Sequence, residues 1–309
     1  MIFIRPHQLF EKMEFNQLKT YAIILNYNSA SESVALFKNL EEQHYKYLKI
    51  LVIDNNSSEE DLLQLTENIP VGNLIFNKIN LGYAGGNNVG IEIALNEKAD
   101  YVWILNPDIR VESQTLPILL KTITADKTLA AIGPRIIQRN NPDKIFTDGE
   151  MLVMNKKCST IQKNSNLEVS RVPKNIDYDI DYIDGSSILL NCRAIREIGK
   201  LPEEYFLYFE ETDWCFKANK NNWRLAVNSN ASVYNLTSIK KSVFHYYFMR
   251  NKLMFSKKYH PDFIKVRNYY IKELLGEVGY RFRGKYFKPF FKSRVKGLIS
   301  GIIKTGLYK

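Results

Sequence analysis

A chain of 309 residues, 45% of them hydrophobic and 25% charged, is long enough to bury a large core as one or two domains. No stretch reaches the roughly 18 to 20 apolar residues of a membrane span, and Met1-Ile2-Phe3-Ile4 stops at Arg5, Pro6 and His7, so neither a transmembrane protein nor secretion by signal peptide is expected. The formal charge of +10 raises nucleic acid as a partner, but nine Lys or Arg and no acid lie from Arg281 to Lys309, which leaves 34 basic against 33 acidic groups in residues 1–280 and argues against it.

In chain order, strands are expected at Tyr21–Leu25, Leu48–Ile53, Leu74–Phe76, Tyr101–Leu105 and Leu129–Ile132, with helices near 31–43, 59–68, 87–97 and 113–125. That alternation implies an α/β fold, a mostly parallel sheet flanked by helices. Residues 138–180, rich in Asn, Asp, Lys and Ser, have no clear periodicity and are expected to hold surface excursions or an irregular hairpin. Tyr182–Leu190 reads as a loop entering another buried strand, followed by a helix from Arg193. Three widely spaced cysteines, Cys158, Cys192 and Cys215, fit neither a zinc site nor a disulfide framework, and the cytoplasm is the expected compartment.

A helix after Pro289 would place Phe291, Val295, Leu298 and Ile302 on one face with Lys292 and Lys296 at its flanks. Such a basic amphipathic segment suits an anionic membrane surface, each basic group contributing about 1 kcal/mol there. The alternative is a C-terminal helix docked on the core, weakened by Gly297, Gly301 and Gly306. The expected division is an N-terminal extension over 1–19, a main domain over 20–255, and a helical, basic, membrane-associating segment over 256–309, in a protein peripheral on the inner face of the cell membrane.

The chemistry gathers where strands end. Trp103-Ile104-Leu105-Asn106-Pro107-Asp108 carries an apolar run into a carboxylate, and the carboxyl edge of an open α/β sheet is where ligands bind. A hard oxygen there suits a divalent cation, although Pro107-Asp108 also fits a turn that caps the helix beginning near Ser113. Leu25-Asn26-Tyr27-Asn28-Ser29 and Val52-Ile53-Asp54-Asn55-Asn56-Ser57-Ser58 put amides, hydroxyls and a carboxylate at two more strand ends, where a base and ribose can be hydrogen-bonded. Asn80-Leu81-Gly82-Tyr83-Ala84-Gly85-Gly86-Asn87-Asn88-Val89-Gly90 is a glycine-rich approach to a helix that suits a diphosphate. It lacks the Lys-Ser/Thr ending of a P-loop and the acid about 20 residues on that marks a dinucleotide fold. Tyr205-Phe206-Leu207-Tyr208-Phe209-Glu210-Glu211-Thr212-Asp213-Trp214-Cys215 sets aromatic rings against three carboxylates, a setting that can raise a carboxylate toward a useful general base. Acids near the positive end of a helix dipole are the plainer reading of the same cluster.

From Ala22 to about Asn251 these motifs, with Tyr246-Tyr247-Phe248-Met249-Arg250-Asn251, occur in the order that resembles the family 2 inverting glycosyltransferases of the GT-A fold, in particular their rhamnosyltransferase-like branch. The resemblance implies a nucleotide diphosphate sugar as donor, of the dTDP-rhamnose or UDP-hexose type, and a glycan or lipid-linked acceptor in cell-surface polysaccharide biosynthesis. It gives Asn26, Tyr27, Asp54 and Asn56 the base and ribose, and Asn80, Gly82, Gly86 and Asn88 the diphosphate and donor sugar. Asn106 and Asp108 stand at the family's Asp-x-Asp position, so Asp108 is expected to hold Mg2+ or Mn2+. Asn235 replaces a histidine that helps hold the metal in many relatives, and His245 is the candidate substitute. Glu211 is the expected base, with Glu210 and Asp213 as alternatives within the cluster, and Asp184, Gly185 and Trp214 are expected to line the acceptor pocket. Two other classes stay open: a nucleotide-sugar-binding partner of an assembly complex without transfer activity, and a nucleotidyltransferase, which would show Arg and Lys after the first strand.

Overall fold

The computed structural model describes residues 17–43, 45–237, 240–282 and 287–306. β1 (Thr20–Asn26), α1 (Ala30–Glu41), β2 (Leu48–Asp54), α2 (Glu59–Asn68), β3 (Leu74–Phe76), α3 (Gly82–Asn96) and β4 (Tyr101–Leu105) form the parallel half of the sheet, in the order β3-β2-β1-β4. All five residues of β4 are buried, as a strand covered on both faces requires. α2 begins where Ser58 accepts the Asp61 N–H, and Glu59, Glu60 and Asp61 meet the positive end of its dipole.

β5 (Ile109–Val111), α4 (Thr115–Ala125) and β6 (Leu129–Gln138) follow. The aperiodic 138–180 stretch holds β7 (Ile145–Thr147), a hairpin of β8 (Glu150–Val153) and β9 (Ser159–Gln162), and the short β10 (Ile176–Asp177). β11 (Ser187–Asn191) then runs antiparallel between β4 and β6 and leads into α5 (Cys192–Ile198). After α6 (Glu210–Lys220), β12 (Arg224–Asn235) pairs parallel with β6 and antiparallel with β5, so this half of the sheet is mixed. Register decides the site's location. Asn26 lies level with Asp54, and Leu105 pairs with both Ile24 and Ser187, so the ends of β1, β2 and β4 and the start of β11 share one edge.

α3 starts at Gly82, earlier than the position 87 expected from its apolar pattern. Its glycines are a packing surface. A Cβ on Gly86 would stand 2.3 Å from Leu25 Cδ1, and one on Gly90 would stand 2.8 Å from Ile23 Cδ1, so only bare backbone lets α3 lie this close to β1.

The chain ends in α7 (Ser242–Tyr259), α8 (Phe263–Phe282) and α9 (Phe291–Lys304). α7 runs unbroken through position 255, where the main domain was expected to end, and Phe255 and Ser256 are both buried. The apolar face expected to meet a membrane is covered by the protein itself: Leu298 is buried, and Phe291, Val295 and Ile302 pack into a core with Met249, Leu253 and Phe255. Gly297 and Gly301, expected to weaken α9, are its contact surface. A Cβ there would stand 2.4 Å from Tyr246 O and 3.0 Å from Arg250 O respectively. Arg294 makes a bidentate pair with Glu277 at 2.6 and 2.7 Å, and Lys288 reaches Glu273 at 3.4 Å, so acids of α8 offset part of the tail's charge. What α9 leaves exposed is a different stripe, Lys292, Lys296, Ile299 and Ile303, beside Lys304. Residues 1–16 of the expected extension lie outside the described residues, as do Arg283, Lys285, Lys309 and the Arg281 side chain. No helix among the described residues is long and apolar enough to cross a membrane.

Candidate active site

At the ends of β1 and β2 the polar residues bind one another first. Asn26, fully buried, donates through Nδ2 to Asp54 Oδ1 at 3.0 Å and Asp61 Oδ2 at 2.6 Å, and accepts from Ser33 Oγ at 2.7 Å. Asp54 Oδ2 accepts the N–H groups of Asn56 and Ser57, each at 3.1 Å. Asn26 and Asp54 therefore build the turn, and the exposed Tyr27 and Asn56 stand on it facing solvent.

Asn55, which sequence reasoning did not single out although it lies inside a quoted motif, ties this turn to the next. Its Nδ2 donates to Asn80 Oδ1 and Gly82 O at 2.9 and 3.0 Å, and its Oδ1 accepts from Asn77 Nδ2 and Leu81 N at 3.1 Å. Gly82, at φ +74°, is required: a Cβ would stand 2.3 Å from Phe206 O. Gly86 and Asn88 are placed beneath this surface. Asn88 is buried and exchanges hydrogen bonds with the Leu201 backbone while donating to Glu203 Oε1.

Asp108 follows β4 in a turn closed by Ile109 N–H to Asn106 O, while Asn106 N–H reaches Ser186 O at 2.9 Å. Burial holds the Asp108 carboxyl above the usual carboxylate range, and nearby Glu32 adds to that. Glu32 itself is bridged by Arg110 and Arg139, and Arg139 Nη1 also donates to Asp108 O at 3.1 Å. These three charged groups beside Asp108 were not anticipated. Asn235 pairs with Ile109 across β12 and β5, and its buried Oδ1 has no hydrogen-bond partner among the described residues. A carboxylate and an unsatisfied amide oxygen at one sheet edge fit a hard cation whose remaining ligands come from a diphosphate. His245 does not join them. Its ring stacks on Phe290 at 4.6 Å and meets Phe244 edge-on, and among the described residues no three His, Cys, Asp or Glu side chains converge as a metal-binding group. The ligand role expected for His245 therefore has no support in this arrangement.

The acidic cluster separates into three fates. Asp213 is buried and fully engaged, accepting from Tyr205 Oη at 2.6 Å, Tyr259 Oη at 2.9 Å and Lys258 Nζ at 2.8 Å, so it ties α6 to α7 and has no free oxygen to act as base. Glu210 is buried with Oε2 unpartnered among the described residues; burial and then the charge of Glu211 push its carboxyl well up. Glu211 keeps partial access to solvent, and burial followed by the charge of Asp184 raises it to about 7. Gly185 lies directly against it, since a Cβ there would be 3.4 Å from Glu211 Cγ, and Tyr83 Oη donates to Gly185 O at 2.6 Å. Asp184 Oδ1 accepts from Ser186 N–H and Oγ, which fixes this loop. Trp214 is placed elsewhere. It is buried in the core with Nε1 donating to Gly199 O at 2.8 Å, which corrects its expected place in an acceptor pocket.

A further carboxyl went unseen in the sequence. Glu150, on β8, is buried and pushed up to about 8, first by burial and then by Asp184, with Glu211 also acting on it. Only tertiary contact brings a residue from the aperiodic 138–180 stretch to this loop, so no local signal could have found it.

An α/β sheet covered by helices, with carboxylates and amides gathered at the edge where β1, β2 and β4 end, is the architecture of the GT-A fold. The chain belongs to glycosyl transferase family 2, whose model matches residues 21–199. The low-salt glycan biosynthesis hexosyltransferase Agl10 of Haloferax volcanii is 28% identical over 201 residues, covering 65% of this chain and 61% of that protein. The dTDP-rhamnosyl transferase RfbF of Shigella flexneri is 24% identical over 200 residues, covering 64% and 62%. The chain thus spans about three-fifths of the length of the curated relatives it matches. Among solved structures, mannosyltransferase PcManGT from Pyrobaculum calidifontis in complex with GDP-Man and Mn2+ superposes with a TM-score of 0.56 over 94% of this chain and 87% of that one, at 13% identity. GalNAc-T7 with UDP, GalNAc and Mn2+ gives 0.58 over 72% and 44%, at 16% identity. These two likenesses carry the fold.

Proposed function

We propose that this protein is an inverting transferase that moves a sugar from a nucleotide diphosphate sugar, of the dTDP-rhamnose or UDP-hexose type, to a hydroxyl of a glycan or lipid-linked acceptor in cell-surface polysaccharide assembly. The observation that carries the reading is Glu211. It is partly accessible, raised to about 7, and set against the Asp184–Gly185 loop on the edge that also bears Asp54 and Asp108.

The reaction is a single displacement. The acceptor oxygen forms a bond to the anomeric carbon as the bond from that carbon to the diphosphate oxygen breaks on the opposite face; the hydroxyl proton passes to Glu211. A carboxylate near 7 is half ionised at neutral pH and can take a proton without being tied up by ion pairs. Tyr27 and Asn56 present the base and ribose surface, with Asn26 and Asp54 bracing it. Asn80 and Gly82 shape the turn under the diphosphate, and Asn106 and Asp108 stand where β4 delivers them. When bound, Mg2+ or Mn2+ would be held by Asp108 with Asn235 Oδ1 and would neutralise charge on the leaving diphosphate. Asp184 and Gly185 form the acceptor side.

Two relatives named for glycan biosynthesis and rhamnosyl transfer support the substrate class. A membrane-held acceptor suits a protein peripheral on the inner face of the membrane, and the stripe of Ile299 and Ile303 flanked by Lys292, Lys296 and Lys304 is the surface we assign to the anionic lipid. Incubation with a panel of dTDP-, UDP- and GDP-sugars and Mn2+, with product anomers read by NMR, tests the reading. Absence of any turnover, or retention of configuration, would sink it.

A further inference from the structure

The loop that delivers Glu210 and Glu211 is held in an unfavourable backbone conformation. Phe206, Tyr208 and Phe209 have φ of +65°, +69° and +78°, and Phe209 is the residue from which α6 starts. Bulky side chains in this region are strained and persist only where surrounding structure over-determines them. Its internal backbone bonds are Phe206 N–H to Glu203 O and Leu207 N–H to Tyr205 O, which leave the carbonyl oxygens of Leu207 and Tyr208 to a partner outside the loop.

The restraint comes from α7. Asn251, fully buried, directs Nδ2 at three backbone oxygens of the loop: Tyr205 O at 2.9 Å, Leu207 O at 2.7 Å and Tyr208 O at 2.7 Å. Its orientation is set by its neighbour. Arg250 Nε donates to Asn251 Oδ1 at 2.7 Å, and because arginine cannot accept, Oδ1 must face it and Nδ2 must face the loop. The same guanidinium donates to Tyr205 O and lies 4.6 Å over the Tyr247 ring, which stacks on Phe206 at 5.1 Å. Phe206 O in turn accepts the Tyr83 N–H at 2.6 Å and roofs Gly82. One amide on a C-terminal helix is thus joined through backbone to both sides of the site.

We propose that Asn251, oriented by Arg250, is a positioning residue for the base: it holds the Tyr205–Phe209 backbone in its strained form and so keeps Glu211 against the Asp184–Gly185 loop and partly shielded from water. The inference rests on Glu211 acting as base in the proposed transfer. Without the clamp the loop relaxes, water reaches Glu211, and the carboxylate moves away from the acceptor hydroxyl. Burial and then Asp184 before β11 raise Glu211, while the Thr212 hydroxyl that donates to it acts the other way. Glu211 in turn raises Glu210 beside it and Glu150 on β8, and Tyr83 on α3, Tyr182, Tyr208 and Cys215 also face its charge. With burial the largest cause, added hydration lowers its proton affinity.

The test uses the full chain with Asn251→Ala and Asn251→Ser, the serine keeping a donor for one carbonyl should the alanine form fail to fold. Hydrogen exchange by mass spectrometry should show faster exchange across residues 205–211 with the parallel half of the sheet unchanged. Turnover should fall about 10- to 100-fold, the scale of a misplaced catalytic group, and the acid limb of the rate profile should move below its parental position near pH 7. Unchanged exchange over 205–211 in a folded variant overturns the clamp, and so does lost turnover with an unmoved acid limb. If the parent protein turns over no nucleotide sugar, the proposed transfer fails while the exchange measurement still decides whether Asn251 holds the loop.

Discussion

Gly297→Ala separates a docked C-terminal helix from a free one by the sign of its effect. In an exposed or membrane-lying helix, replacing glycine by alanine removes backbone entropy from the unfolded chain and stabilises the helix by about 1 kcal/mol. Here the added Cβ would meet Tyr246 O at 2.4 Å, with Met249 Cβ at 3.1 Å. Tyr246 O belongs to the backbone of α7 and cannot swing aside as a side-chain tip would, so α9 must move off α7. Overpacking of this kind costs roughly 1–3 kcal/mol. Set against the helix-propensity gain of about 1 kcal/mol, the net is a loss of up to about 2 kcal/mol, or several degrees in Tm at about 2–4 °C per kcal/mol for a chain approaching this size. Gly276→Ala is the internal control, since nothing lies within 4 Å of its added Cβ on α8, and it should raise Tm. Thermal melts of the two variants by circular dichroism measure both signs together. If Gly297→Ala stabilises the protein as Gly276→Ala does, α9 is not docked on α7 and the packing argument fails.

Glu211→Gln should fold normally and lose transfer by roughly 100-fold or more, and in the parent protein the rate should rise through about pH 7 as this carboxyl ionises; a variant that keeps its activity removes Glu211 as base. Asp108→Asn should weaken metal-dependent donor binding, because an amide lacks the charge a hard cation prefers; calorimetric titration with donor and Mn2+ that shows unaltered metal dependence would exclude it from the site. Glu150→Gln should stabilise the protein at alkaline pH. A carboxyl raised from 4.5 to about 8 on folding binds its proton more tightly in the native state, so its contribution is full below 4.5 and declines as pH rises to about 8. Parent and variant melts should therefore diverge upward from pH 4.5, and a constant difference would contradict the shift. Ile299→Asp with Ile303→Asp should release the protein from anionic vesicles in co-sedimentation while leaving donor hydrolysis intact; retention on the vesicles would place any membrane contact elsewhere.

Local chemistry made much of this protein legible from its sequence. β4 falls at its expected bounds because a buried strand must be a continuous apolar run, α2 fills residues 59–68 because a Ser cap followed by acids marks a helix start, and β3 also falls at its expected bounds although Phe76 is exposed. The positions of Asn26, Asp54, Asn106 and Asp108 at strand ends were readable for the same reason: the carboxyl edge of an α/β sheet is a topological fact that follows from strand order. What each polar residue does there was not readable. Asp213 and Glu211 sit two positions apart with the same chemistry in sequence, yet one meets two tyrosines and a lysine from distant segments while the other faces Gly185 and solvent.

The glycines divide in the same way. Gly82 was expected in a glycine-rich approach to a helix and opens α3 at φ +74°, whereas Gly86, Gly90, Gly297 and Gly301 are flat places where a helix meets a strand or another helix, which depends on what the partner presents. The face of α9 was visible as a periodicity, but hydrophobic periodicity states only that a face must leave water and is silent on whether protein or lipid covers it. Burial, pairing and strain are properties of residues far apart in the chain. For Glu150, Asn251 and the 205–209 loop, only folding brings the interacting groups within reach, so only the tertiary structure could decide them.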